Sequence, residues 1–188
     1  NTVSENLGKP FIHLEDNLDS LFYEISLHAK KYVCDVLEYK DIFDYVITKS
    51  WLSRARRPDN EIRWHFHSTS HISFVYYLST PDNSHALEFQ NTCTKNDLFK
   101  AMNVEDEDTA DRNMVKNFNP LNSQAFYMHP IEGSLFLFPS SLSHHTRFMG
   151  GDFKGERLGI VGDITLMLKE DQLNFSMGYI DNKYWKKY

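Results

Sequence analysis

Cysteine is scarce: the 188 residues hold two, Cys34 and Cys93, far apart in the chain. Two thiols so placed give no disulfide framework, and a reducing, cytoplasmic location is the expectation. No apolar run approaches the roughly 20 residues of a membrane-spanning helix, and no signal peptide is visible. The chain opens on Asn1 and not on Met, which leaves room for a trimmed segment upstream. Positive charge is also short. Lys and Arg number 20 against 26 Asp and Glu, a formal net charge of -6. The basic residues gather only at Arg54, Arg56 and Arg57 and in the tail at Lys183, Lys186 and Lys187. Without a basic stripe, no nucleic-acid partner is expected. No internal repeat or low-complexity tract is evident, which sets aside repeat architectures.

Aromatic residues, by contrast, are abundant, with 14 Phe and 10 Tyr, and 24% of the chain is charged. That is the composition of a folded domain, and the length suits one domain with a proper core, 1–188. Leu18, Leu21, Ile25, Ala29, Tyr32, Val33 and Val36 recur at three- and four-residue steps, predicting an amphipathic helix capped by Asp16 or Asn17. Strand-like runs follow at residues 45–53, 72–78, 86–90, 133–138, 144–148 and 157–168, separated by turn-rich stretches such as PDNS at 81–84. Pro10, Phe11 and Ile12 suit an edge strand. Residues 91–130 are polar and acidic, with a weak helical signal at 98–102, and read as an insertion or lid in a core of about 45–168. The aromatic tail, with Phe175, Tyr179, Tyr184 and Trp185, is expected to pack back on the body. One early helix followed by many strands predicts a mainly β fold, a sandwich or barrel with helical support.

Seven of the nine histidines lie between residues 65 and 145. His13, His28, His71, His85 and His129 read as surface or satisfied core residues. His65 and His67 differ. They are two positions apart before a strand-like run, so both imidazoles point one way, about 6–7 Å apart along the chain. Such a pair can grip one metal ion, although HxH also arises by chance. His144 and His145 follow a buried-strand signal and a sharp turn at Pro139, which places an imidazole at a barrel mouth. Arg157 opens the longest apolar run. Turned inward it needs an anion; otherwise it sits at the strand's exposed end or pairs with Glu156 or Asp152.

These elements occur in a telling order. His65-Phe66-His67 comes first, then SFVYYL at 73–78. GSLFLFPS at 133–140 follows, with Leu142 and His144, and Glu156-Arg157 closes the series. Together they resemble the 2-oxoglutarate- and iron(II)-dependent oxygenases, close to the prolyl-hydroxylase-like branch. They are especially similar to bacterial and phage members carrying HxH, SGVYYL-like, FPSxLxH and ER motifs. Trp51-Leu52-Ser53 fits the strand before the first ligand in that group. The likeness covers residues 50–168, about two thirds of the chain.

The resemblance implies a double-stranded β-helix, a jelly-roll or cupin-like barrel with the N-terminal helix as support. It implies a hydroxylase-like dioxygenase using Fe(II), 2-oxoglutarate and O2 on a small-molecule or peptide substrate. It makes His65 the first metal ligand, gives His67 the position usually held by a carboxylate, and makes His144 the distal ligand. Tyr77 and Arg157 would hold the far carboxylate of 2-oxoglutarate. Three ligands on six-coordinate iron leave positions for the 2-oxo acid and dioxygen. Three departures stand out. His67 removes a negative charge from the centre, with Glu88 as a fallback ligand. His144 and Arg157 are 13 residues apart, longer than usual, with a Met149-Gly150-Gly151 turn to absorb the excess. Phe74 replaces a glycine, which narrows the cavity or packs that strand face differently. His145 is the alternative distal ligand. A three-histidine cupin-type metalloprotein without 2-oxoglutarate, and a non-catalytic jelly-roll module, are the rival readings.

Overall fold

The computed structural model describes residues 10–91, 125–172 and 186. Helix α1 (Asp19–Lys31) continues into a wider turn at Tyr32–Val36, within the segment predicted to be helical. The expected side-chain cap is absent. A 3-10 turn, Asp16–Leu18, leads into the helix, and Leu18 stands at the N-cap position. Phe11 makes one parallel bridge to Ser50 and the chain then enters a 3-10 turn, so the edge strand expected at residues 10–12 does not form.

Among the described residues seven strands follow: β1 (Phe43–Ala55), β2 (Ile72–Ser79), β3 (Ala86–Gln90), β4 (Ala125–Met128), β5 (Leu135–Pro139), β6 (His144–Arg147) and β7 (Arg157–Leu168). They form two antiparallel sheets, ordered β1-β7-β2-β5 and β4-β3-β6. Strand β4 lies inside the stretch 91–130 read from sequence as an insertion, so that segment is in part sheet. Cys93, the helical signal at 98–102 and the aromatic tail lie outside the described residues.

Side-chain alternation along β2 and β7 organises the layers. Ile72, Phe74, Ile160 and Ile164 are buried in one core with Phe22, Ile25, Ala29 and Val33 of the helical segment. The opposite face carries Ser73, Val75 and Tyr77, on one side of β2 as their parity predicts. Val75 and Tyr77 form a second core with Leu87, Phe89 and Phe138. The larger sheet is thus covered by the helix on one face and by the smaller sheet on the other. This is the layered, mainly β arrangement of a double-stranded β-helix. No helix among the described residues is long and apolar enough to cross a membrane.

Phe74, placed by sequence where relatives have glycine, is fully buried on the helix side, with its ring 6.4 Å from that of Phe22. Its cross-strand partner is Gly162. A Cβ at Gly162 would lie 2.5 Å from Phe74 Cζ and 2.6 Å from the Lys49 carbonyl oxygen. The bulk lost at Gly162 is the space the Phe74 ring fills. The long connection after β6 is absorbed as expected: Gly150 and Gly151 have φ of +90° and +91°, a backbone region that favours glycine.

Candidate metal centre

The HxH segment is extended but outside any regular strand. His65 and His144 form an isolated antiparallel bridge, exchanging backbone bonds of 3.0 and 2.9 Å. Thr146 N–H donates to the Ile62 carbonyl and His67 N–H to that of Ser140. Residues 62–65 therefore run beside β6, with His67 tied to the turn before it, and β6 and that turn position both parts of the histidine cluster.

This arrangement brings His65, His67 and His144 together. Their ring centroids are 4.3 Å (65 to 144), 5.3 Å (65 to 67) and 5.4 Å (67 to 144) apart. One nitrogen from each lies within 4.8 Å of the others. Each Nδ1 faces an oxygen elsewhere. His65 Nδ1 is 2.8 Å from the Arg63 carbonyl, and His144 Nδ1 is 2.9 Å from that of Leu142. His67 Nδ1 is 2.5 Å from Asp163 Oδ1. A carbonyl or carboxylate oxygen accepts, so each ring donates from Nδ1, which leaves Nε2 as its ligand atom. Burial lowers the pKa of His65 and brings that of His144 to about 4, so both rings are neutral at neutral pH. A neutral imidazole is the form that binds a metal. Three nitrogen donors with fixed tautomers suit a divalent transition metal such as iron(II).

Cross-strand register separates His144 from His145. His144 pairs with Phe89 and shares the inner face with it. His145 pairs with Glu88 on the outer face, its Nε2 2.5 Å from Glu88 Oε2 and its ring stacked on Trp64 at 4.0 Å. Glu88, the fallback ligand, is therefore turned away from the cluster. His13, His71 and His85 are engaged by Ser50, the Leu166 amide and the Pro58 carbonyl respectively.

A cavity of about 80 Å³ runs between the histidine cluster and Arg157, with Tyr77, Trp51 and Val161 in its wall. Arg157 is 4% exposed. Neither carboxylate suggested as its partner reaches it: Glu156 pairs with Arg54 and Arg56, and Asp152 with Lys154. Its Nη1 donates to the His85 carbonyl at 3.1 Å, and its Cζ lies 5.8 Å from the Tyr77 ring centroid. Its Nε is buried without a hydrogen-bond partner, and so is His85 Nδ1. Burial lowers the Arg157 pKa, while burial raises that of Tyr77. A larger apolar cavity, about 410 Å³, lies by Val33, Leu37, His71 and Leu168, and none of His65, His67 and His144 lines it.

Asp163 was missed in the sequence. It is 5% exposed in the middle of β7, and six residues from Arg157 it lies on the same inward face. An acid inside an apolar strand run was the available signal.

A sequence profile of the family described as "Putative 2OG-Fe(II) oxygenase" matches residues 49–163. No curated protein sequence matches the chain. Among solved structures, CytC3 with Fe(II) and alpha-ketoglutarate is 14% identical, over 98% of this chain and 69% of that one, with a TM-score of 0.51. That likeness is one of fold. An oxidoreductase of the 2OG-Fe(II) oxygenase family from Burkholderia pseudomallei is 12% identical, over 72% of this chain and 49% of that one, at a TM-score of 0.47. A Pseudomonas putida prolyl-4-hydroxylase is 16% identical, over 80% and 65%, at 0.45. The chain thus spans about half of the Burkholderia protein and just under two thirds of the Pseudomonas one. The profile covers more than half of the residues and includes both members of the HxH pair, His144 and Arg157, and on that match the chain belongs to the 2OG-Fe(II) oxygenase family.

Proposed function

We propose that this chain is an iron(II)- and 2-oxoglutarate-dependent dioxygenase, acting as a hydroxylase on a small molecule or a peptide. One observation carries the reading. Three metal-competent imidazoles and a buried guanidinium with no anionic partner among the described residues line the same cavity. An unpaired cation in the interior is costly, and a carboxylate entering the cavity relieves that cost. His65, His67 and His144 hold the iron through Nε2. Arg157 binds the far carboxylate of 2-oxoglutarate by a charge-assisted contact, with the Tyr77 hydroxyl donating beside it. Iron, 2-oxoglutarate and dioxygen together supply the oxidising power, through decarboxylation of the 2-oxo acid and insertion of oxygen into a substrate C–H bond. The apolar walls at Trp51, Val75, Val161 and Phe138 limit water around the reacting groups. Cys34 is a free thiol, in keeping with a reducing, cytoplasmic setting.

A second reading, a three-histidine cupin-type metalloprotein that does not use 2-oxoglutarate, draws on the missing carboxylate ligand. Calorimetric titration of the metal-free chain with manganese(II) and then 2-oxoglutarate separates the two. Manganese should bind the parent and His145→Ala, and fail on His144→Ala. The 2-oxo acid should then bind only the metal-loaded forms. Metal binding without any 2-oxoglutarate binding favours the cupin-type reading, and no metal binding rejects both.

A further inference from the structure

A divalent ion held by three neutral imidazoles keeps its full double charge, whereas a carboxylate ligand would offset part of it. The residue that takes up this deficit lies one shell out. Asp163 Oδ1 is 2.5 Å from His67 Nδ1, and Ser73 Oγ donates to the same oxygen at 2.9 Å. Ser73 Oγ is in turn 3.0 Å from Ser140 Oγ, which accepts from Ser70 Oγ at 2.8 Å. The carboxylate is buried, and among the described residues no lysine or arginine pairs with it. The His67 ring is its hydrogen-bonded neighbour on the side of the cluster. A carboxylate sunk this deep without a cation is costly, unless positive charge sits beyond the imidazole.

We propose that Asp163 is the positioning carboxylate of this centre: it fixes His67 with its proton on Nδ1 and delivers through that ring the negative charge that His67 cannot carry. This rests on the metal-site reading above. Asp163 touches no substrate or metal itself, and the serine chain holds it in place. A carboxylate behind a ligating imidazole makes the facing nitrogen more basic and stops the ring from turning. The centre thereby gains charge without losing a coordination position or admitting an acidic ligand.

The test uses the full chain with Asp163→Asn, which keeps the shape and removes the charge. Calorimetry with manganese(II) on metal-free protein should give an affinity about 10- to 100-fold below the parent. Circular dichroism should show the parent fold. Parent affinity in Asp163→Asn, even with a lowered melting temperature, would mean a purely structural role and overturn the proposal. A second measurement needs no variant. Long-range nitrogen–proton NMR of the metal-free parent should show His67 protonated on Nδ1, and protonation on Nε2 also overturns it. If the parent binds no manganese at all, the metal-site reading itself fails and this inference falls with it. If the parent binds and Asp163→Asn is unchanged, this inference alone fails.

Discussion

Replacing Arg157 with methionine should move stability and co-substrate binding in opposite directions. The guanidinium is 4% exposed, donates to the His85 carbonyl, and has a buried Nε without a partner. Burying an ion costs several kcal/mol even after relaxation. Against this stand the bond to His85 and the contact with the Tyr77 ring at 5.8 Å, about 2 kcal/mol each. Methionine fills much of the same volume, ends the desolvation cost, and leaves the His85 carbonyl without a donor. The balance should be a gain of about 1–2 kcal/mol in the ligand-free protein. At the size of this chain that raises the melting temperature by about 2–8 °C. Removing one partner of a buried, hydrogen-bonded charge pair costs about 2–5 kcal/mol. The same variant should therefore bind 2-oxoglutarate from about 30-fold to several thousand-fold more weakly. Scanning calorimetry in chelator gives the first quantity, and titration of the manganese-loaded protein gives the second. A lower melting temperature combined with intact 2-oxoglutarate affinity would show that the guanidinium is already satisfied within the fold and would refute the reasoning.

Two further outcomes rest on other parts of the structure. Gly162→Ala should destabilise the chain by about 1–3 kcal/mol, because the new methyl meets the Phe74 ring and the Lys49 carbonyl. Adding Phe74→Leu should restore only part of the loss, since the carbonyl remains; an unchanged urea midpoint in Gly162→Ala would contradict this packing. The metal-free protein should also lose stability as pH falls from about 6.5 to about 4. Above that window His144 is neutral in both the folded and unfolded chains. Within it the unfolded chain takes up a proton that the folded chain excludes, for a loss of up to about 3 kcal/mol, with His65 acting in the same direction. Equal urea midpoints at pH 7 and pH 4.5, in chelator, would argue against burial of a neutral His144.

The layers of the fold were legible because two periodicities were clean. The apolar spacing of residues 18–36 gave the helix, and alternation along 72–78 gave the two faces of β2. What sequence could not supply was pairing. His144 and His145 are equivalent candidates until β6 is set against β3, and only the Phe89–His144 register turns one inward. Phe74 alone suggested a narrowed cavity as one outcome. Its fit depends on Gly162, a partner across the β2–β7 ladder that no local pattern reveals. Asp163 went unread for the same reason: the imidazole that explains it comes from a segment nearly a hundred residues earlier. Strand β4 was hidden by the polar stretch around it.

The bridge between His65 and His144 has a consequence for how an ion acts on the chain. Two backbone bonds already hold together positions about 80 residues apart. An ion gripped by both side chains is a removable cross-link closing that loop. In the unfolded chain, closing a loop of such length is unfavourable by on the order of 4 kcal/mol. The folded backbone has met that entropy before any ion arrives. Chelation should therefore act on this protein unlike reduction of a disulfide-bonded one: the unfolded chain is open with or without the ion, and removing the ion takes away only the stability that its binding adds to the folded state.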